Sequence, residues 1–328
     1  MTICITIRRL FTCIILSIAM VSNVVSVKGQ DFSDAYDFLN ITSSVRIYGL
    51  GGVNISTVED NIEVADQNPA LLGPEMGGWI DFNYMRYINS SNFAGLKYGR
   101  GIGEHGAWMA GLQYMGYGSI EETDVFGNVV GSFSPADFIL SGTVSYDLFS
   151  NIRIGADVKF LYSSYSEFNA IAIAADLGIN YYNPDNDFSL SVVGANIGGQ
   201  VKRFENQTEK LPTDVRIGAT FGLRHLPLRI SLTGWNLLKW GKGYGNLMNH
   251  VVMGIDFVPS TKFYLSLGYN YHMRSVMQEH QKTFFSGFTA GAGFSASRFN
   301  LGAAIAQPAT GSFTFMINFG LKINDLLN

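Results

Sequence analysis

The chain has little cysteine, proline, histidine or charge. Its 328 residues include 2 Cys, 8 Pro and 5 His, and 15% are Asp, Glu, Lys or Arg, against about a quarter in an average globular chain. Both cysteines, Cys4 and Cys13, lie near the N-terminus, so a chain processed beyond them has no disulfide, thiolate nucleophile or cysteine-bound metal. The balance of 22 basic against 26 acidic residues argues against a basic face that binds nucleic acid.

The first 29 residues have the pattern of a secretory signal peptide. Arg8 and Arg9 precede an apolar run from Leu10 to about Val27, and the small residue Gly29 follows. A transmembrane anchor is the alternative, but polar residues interrupt the run and no cluster of charges follows it. The pattern predicts cleavage after Gly29, which leaves an exported chain with 19 basic and 26 acidic residues.

Glycine, aromatic residues and a period of two characterise the rest of the chain. In one stretch Ile217 and Phe221 alternate with Arg216 and Thr220, a pattern typical of a strand with one apolar and one polar face. The pattern predicts about fourteen strands: 78–88, 91–100, 105–117, 136–147, 151–163, 167–182, 187–198, 212–223, 226–237, 249–258, 261–272, 284–295, 298–306 and 312–322.

The connections between these strands indicate the architecture. Very short turns alternate with longer connections, including 118–135, 199–211, 238–248 and 273–283, as in antiparallel outer-membrane barrels with an even number of strands. Aromatic residues such as Tyr114 and Trp235 cluster at strand ends, where membrane interfaces place them. A soluble β-sandwich is the alternative, but the strands are many and their second faces are rich in Gly, Ser and Asn. We therefore predict an all-β fold, a transmembrane antiparallel β-barrel of about 14 strands over residues 78–328.

Residues 30–77 do not follow the strand pattern. This N-terminal segment is expected either to hang in the periplasm or to enter the lumen as a plug, and the apolar side chains of Ile47, Leu50, Val53 and Ile55 favour the plug. The inward-facing charges of the barrel either line a pore or pair and close the lumen, and the sequence leaves both open. These charges are Arg153, Asp157, Lys159, Arg216 and Asp256.

Sequence motifs for catalysis are few and weak. Residues 101–106 match G-x-G-x-x-G, but a strand pattern follows where a dinucleotide site needs a helix, so a tight turn is predicted. His272 and His280 flank one loop without an evident third metal ligand, and His272 is the one serious candidate for a hydrolase. We expect no enzymatic activity, no cofactor and no metal.

Six stretches of the chain have the sequence features of one known family: 45–56, 67–72, 111–118, 122–128, 211–212 and 232–237. Together they resemble the PorQ proteins of the type IX secretion system, within the PorV/PorQ branch of FadL-like outer-membrane barrels. The resemblance implies fourteen strands, an N-terminal segment inside the lumen, and a place in the bacterial outer membrane. One departure is that residues 323–328 follow the last strand, where many barrels end on an aromatic residue.

The resemblance also implies partners. It predicts a non-enzymatic barrel that anchors a PorZ-like surface protein, together with PorU- and PorV-type components of the attachment complex. Phe126, Phe133, Phe204 and Tyr244 lie in the long loops and are our candidate partner anchors, because aromatic residues dominate interface energetics. The alternative function is FadL-like transport of hydrophobic compounds.

Overall fold

The computed structural model describes residues 36–88, 91–124, 126–203, 209–240, 246–276, 285–309 and 312–323. The strands are β1 (Trp79–Arg86), β2 (Asn92–Ile102), β3 (Gly106–Gly116), β4 (Ile120–Thr123), β5 (Val129–Phe133), β6 (Ala136–Phe149), β7 (Ile152–Tyr165), β8 (Phe168–Asn183), β9 (Phe188–Lys202), β10 (Asp214–Gly222), β11 (Leu228–Gly234), β12 (Val251–Ser260), β13 (Phe263–Asn270), β14 (Phe288–Ser295), β15 (Phe299–Ala309) and β16 (Ser312–Lys322). The α-helices are α1 (Val45–Gly49) and α2 (Tyr271–Val276). Short 3₁₀ turns cover Asp37–Asn40, Ile62–Asp66, Pro69–Leu71, Pro74–Met76, Pro184–Asn186, Leu237–Lys239 and Leu247–His250.

Fourteen of the strands form one closed antiparallel barrel. All except β4 and β5 belong to it, and β1 pairs with β16 to complete the ring, with Asp81 opposite Gly320 at that seam. The prediction of a fourteen-stranded antiparallel barrel is confirmed. Closure leaves the barrel without unpaired edge strands of the kind that open sheets must protect. Within the described ranges, no helix combines the length and hydropathy needed to cross a membrane.

The strands are two-faced as the period of two predicts. Along β1 the buried residues Asp81 and Asn83 alternate with the exposed residues Phe82 and Tyr84. Large apolar side chains are exposed on the outer face of strand after strand, which forms a continuous apolar coat. Such a coat is expected of a barrel that faces hydrocarbon, because a water-soluble protein seldom exposes so large an apolar surface.

The two ends of the barrel differ. At the turn end, connections such as 150–151 and 261–262 are very short, whereas the loop end carries 117–135, 203–213 and 235–250. The hairpin β4–β5 lies within the first of these loops and pairs only with itself. Neither this hairpin nor helix α2 is predicted by the sequence pattern. Both are too short for apolar and polar residues to alternate with a recognisable period.

The N-terminal segment lies inside the barrel. We call residues 36–77 the plug. Its predicted packing residues Ile47, Leu50, Val53 and Ile55 are all buried, so the described part of the segment does not hang free. The six preceding residues of the predicted segment and the predicted signal peptide lie outside the described residues.

Helix α1 shows how the plug folds in so narrow a space. The Ser44 hydroxyl accepts a hydrogen bond from the Ile47 amide at 3.1 Å and caps the helix. The helix ends after one turn because Gly51 and Gly52 take positive φ angles of 102° and 80°, which residues with a Cβ seldom adopt. At Gly268 of the wall, an added Cβ would lie 2.1 Å from the Gly51 nitrogen. Glycine in the wall therefore lets the plug backbone approach closely.

Candidate functional site at the plug and the loop end

Arg46 of helix α1 is the principal ionic contact between the plug and the wall. Its side chain is 0% exposed, and Nη1 lies 2.5 Å from Asp256 Oδ1 of β12. Nη2 and Nε contact the two carboxylate oxygens of Glu59 at 2.5 and 2.9 Å, a bidentate arrangement that favours Arg over Lys. The guanidinium also lies 4.0 Å from the ring centroid of Tyr264.

These contacts decide the charge of the plug carboxylates. Burial alone would raise the pKa of Glu59, but the guanidinium groups of Arg46 and Arg229 outweigh it and hold that pKa below its usual value. Asp66 follows the same balance, because the ammonium group of Lys97 overcomes burial and keeps the Asp66 pKa low. Both carboxylates are therefore ionised at neutral pH and tied to cations.

Asp66 forms the second ionic contact of the plug. Lys97 Nζ of β2 lies 2.6 Å from Asp66 Oδ1, and the hydroxyl of Thr42 donates to Asp66 Oδ2 at 2.6 Å. The Ser43 hydroxyl also donates to this carboxylate. Since one Asp66 side chain binds the wall and two residues of the plug, it fixes the fold of the plug and its position together.

Four of the five inward charges predicted from the sequence pair with opposite charges, and the fifth, Asp157, accepts a hydrogen bond from the Thr143 hydroxyl at 2.8 Å. Lys159 contacts Asp176 at 2.6 Å, and Arg216 contacts Asp214 at 3.3 Å. At the turn end Arg153 binds Asp147 at 2.5 Å and Glu75 of the plug at 3.3 Å, and Asp256 binds Arg46. Of the two alternatives that the sequence leaves open, pairing describes the arrangement in this structure.

A small polar cavity remains between the plug and the wall near the middle of the barrel. Its lining includes Asp66, Lys97, Asp157, Lys159 and Arg216, and its volume is about 30 Å³. A cavity of that size holds one or two water molecules.

A larger pocket opens at the loop end. It has a volume of about 200 Å³ and lies between the plug and the ends of β1, β11, β13 and β15. Aromatic and apolar side chains line part of it, and polar groups complete the wall; among the lining residues are Tyr48, Val53, Tyr87, Trp235, Asn236, Asn270 and Met273. Trp235 is buried, and within the described part of the chain its indole Nε1 has no hydrogen-bond partner. The lining departs from the sequence expectation for Trp235, which points into the barrel mouth rather than towards lipid.

The histidines at the loop end belong to an aromatic cluster. His272 packs edge-on against Trp235 with ring centroids 5.1 Å apart, and His250 stacks on Trp240 at 4.6 Å. Burial, with smaller contributions from His250 and Lys239, lowers the pKa of His272 to about 4. His272 is therefore neutral at physiological pH. His280, its proposed metal-binding partner, lies outside the described residues, and in the described part of the chain no group of three His, Cys, Asp or Glu residues has the arrangement of a metal site.

The structure describes two of the four predicted partner anchors, Phe126 and Phe133. Phe126 is 86% exposed at the tip of the β4–β5 hairpin, beside the exposed residues Val129 and Val130. Phe133 packs against Tyr165 of β7 with centroids 5.0 Å apart, so it fixes the base of the hairpin on the barrel. Phe204 and Tyr244 lie outside the described residues.

Sequence reasoning overlooked the plug side of these ionic contacts. Arg46 lies next to the apolar residues from which the plug is predicted. Its partner Asp256 is 210 positions away along the chain. A signal was present in the acidic run that holds Glu59, Asp60, Glu63 and Asp66. A segment that carries four carboxylates into a lumen with inward-facing Arg and Lys residues is expected to bind them.

Comparison with known proteins identifies the fold. No protein-family model matches the sequence, and no curated protein sequence matches it either. Among solved structures, the Pseudomonas putida toluene transporter TodX is similar with 12% identity over 88% of this chain and 98% of that chain, at a TM-score of 0.56. A Pseudomonas aeruginosa FadL homologue is similar with 10% identity over 86% and 98%, at a TM-score of 0.50. This chain therefore has the FadL-like barrel fold, and at such low identity the likeness extends to the fold alone.

Proposed function

We propose that this protein is a plugged outer-membrane barrel that anchors a surface protein at its loop end, as PorQ-type components of the type IX secretion system do. One observation carries the proposal: the lumen is occupied by a plug held by buried ion pairs, while the β4–β5 hairpin presents exposed apolar side chains beyond the barrel. A lumen that holds a plug tied to the wall suits a scaffold better than it suits an open pore. The apolar outer coat supports a place in the outer membrane.

The hairpin is the proposed contact with a PorZ-like partner. Phe126, Val129 and Val130 are exposed, and apolar clusters at protein surfaces commonly mark interaction sites. The acidic residues Glu121 and Glu122 on β4 add a polar rim of the kind that surrounds apolar anchors in interfaces. We propose Phe126 as the central anchor and Phe133 as the residue that holds the hairpin in place, and we keep Phe204 and Tyr244 as proposed anchors in the neighbouring loops.

The test measures retention of the surface partner. In the native host, Phe126→Ser is expected to reduce the partner at the cell surface, scored by flow cytometry and by co-purification from detergent-solubilised membranes. Phe149, exposed at the turn end, gives the matched control Phe149→Ser, for which partner retention stays at the wild-type level. Unchanged retention after alanine substitution of all four predicted anchors would refute the anchoring role.

Transport of hydrophobic compounds is the second candidate. The fold shared with the toluene transporter and the partly apolar pocket of about 200 Å³ favour it. Uptake of radiolabelled toluene in a host that lacks its own transporter distinguishes the two functions. Uptake that depends on this protein, and that falls when Trp235 of the pocket is changed to Asp, would support the transporter over the scaffold.

A further inference from the structure

The inner face of the barrel seam holds a buried cluster of oxygen-bearing side chains. Asp81 on β1 and Asn318 on β16 lie diagonally across the seam, since Asp81 pairs with Gly320, which is two residues after Asn318. Glu63 of the plug reaches the same place, and Asn300 of β15 completes the group. All four side chains are buried.

The cluster converges on a single amide group. Asn318 Nδ2 contacts Glu63, and it also lies 2.9 Å from Asp81 Oδ2 and 3.3 Å from Asn300 Oδ1. One amide nitrogen has two hydrogens, so it cannot satisfy three acceptors. Asp81 Oδ1 and Asn318 Oδ1 have no hydrogen-bond partner among the residues that the structure describes, although buried polar atoms are nearly always hydrogen-bonded.

Charge is unbalanced at this point. Glu63 and Asp81 are two buried carboxylates, and Lys97, whose charge acts on both of them, is held 2.6 Å from Asp66. Arg46 is likewise occupied by Glu59 and Asp256. An uncompensated buried charge is strongly destabilising, so these two carboxylates, when both are ionised, require positive charge beyond what Lys97 supplies.

The wall leaves space for this group. Asn300 lies over Gly320, where an added Cβ would come 2.0 Å from Asn300 Oδ1. Asn318 lies over Gly302 in the same manner, with a corresponding distance of 2.4 Å. Cross-strand glycines thus make room for both amides on a wall that elsewhere carries side chains.

We propose that Glu63, Asp81, Asn300 and Asn318 bind one Ca²⁺ ion that joins the plug to the barrel seam. Two carboxylates and two amide oxygens are hard ligands, and Ca²⁺ accepts such oxygens in irregular geometry, whereas Mg²⁺ requires a near-ideal octahedron. In this structure Asn318 Nδ2 faces the other three side chains, so ion binding requires this amide to turn until its oxygen faces the ion. The ion supplies positive charge to the two carboxylates and ties the plug to the barrel seam.

The first experiment measures the melting temperature of the full chain in detergent micelles after removal of metal with a chelator. CaCl₂ at about a hundred times its dissociation constant is expected to raise the melting temperature by about 5 °C, and MgCl₂ to raise it less. The double variant Glu63→Gln/Asp81→Asn loses this shift. Asp176→Asn is the matched control, because Asp176 is also a buried wall carboxylate but contacts Lys159; its Ca²⁺ shift equals that of the wild type.

The second experiment does not depend on the folding of that variant. Tb³⁺ replaces Ca²⁺ and emits when a nearby tryptophan is excited. Trp79 lies two residues before Asp81 on the same face of β1, about 7 Å along the strand. The wild type is expected to show Tb³⁺ emission that Ca²⁺ displaces and that Trp79→Phe reduces several-fold, with about one metal ion per chain.

Three results would overturn the proposal. The first is absence of Ca²⁺ and Tb³⁺ binding by the wild type. The second is an equal Ca²⁺ shift in the wild type and in the folded double variant, which would place the ion elsewhere. The third is a melting temperature that ignores metal and falls as the pH rises, which would show that the two carboxylates share a proton instead.

Discussion

Replacement of Arg46 by methionine tests whether buried ion pairs hold the plug in the barrel. The substitution keeps most of the side-chain volume and removes the guanidinium group. Asp256 then loses its 2.5 Å contact, while Glu59 retains Arg229 at 3.2 Å. Breaking a buried pair costs about 3–5 kcal/mol, and because Glu59 is partly compensated we expect about 3 kcal/mol.

Hydrogen exchange followed by mass spectrometry measures this loss as a change in the free energy of local opening of the plug. Amides protected by the plug exchange when it opens locally, so a loss of about 3 kcal/mol speeds their exchange by about a hundredfold. We expect this acceleration in peptides that cover residues 45–66 and no change in peptides from β6–β8. Arg100→Met is the control, because Arg100 is exposed on the outer face of β2.

A double substitution isolates the contribution of the unpaired Asp256 charge. Arg46→Met combined with Asp256→Asn removes the unpaired charge that the first change leaves behind, so exchange is expected to slow again by about tenfold relative to Arg46→Met alone. If plug peptides in Arg46→Met exchange within threefold of the wild type, then the ion pairs do not hold the plug, and apolar packing around α1 must account for its position.

Three further outcomes follow from the same structure. Gly268→Ala is expected to loosen the plug by about 1–3 kcal/mol in the same exchange assay, because the new Cβ meets plug backbone, while Gly142→Ala, which meets nothing within 4 Å, leaves exchange unchanged. The pKa values of Glu59 and Asp66 are lowered in the folded protein, so the stability that these groups contribute is complete above the unfolded pKa and is lost as the pH falls through the folded pKa. The protection of plug amides from exchange is therefore expected to fall below about pH 4. Constant protection down to pH 3 would contradict this. Replacement of residues 119–134 by a short glycine linker is expected to leave the melting temperature of the barrel within about 2 °C of the wild type, because β4 and β5 pair only with each other.

The barrel strands were predictable because lipid imposes a simple rule on them. Every second residue of a strand such as β10 faces hydrocarbon, so Ile217 and Phe221 alternate with Arg216 and Thr220 along the sequence. Long and short connections then give the up-and-down order. Local pattern was sufficient here, since each barrel strand pairs with the next barrel strand along the chain except at the β1–β16 seam.

The candidate sites were not predictable in the same way. The contacts of Arg46 with Asp256 and of Glu63 with Asn318 join residues more than 200 positions apart, and no periodicity relates them. The plug has little regular secondary structure, so its side-chain directions follow from the shape of the lumen. The apolar packing of Ile47 and Ile55 was inferred correctly because burial requires only hydrophobicity, whereas pairing requires a partner.

The seam between β1 and β16 also determines the order in which the chain can assemble. The plug precedes β1 in the sequence, while β16 is the last strand, and the ring is complete only when Asp81 meets Gly320. A segment that fills the lumen is placed most easily while the ring is still open. The plug would thus serve as a template on which the two ends of the sheet meet. Slow biogenesis is expected of such a chain, since its final pairing is also its most distant in sequence.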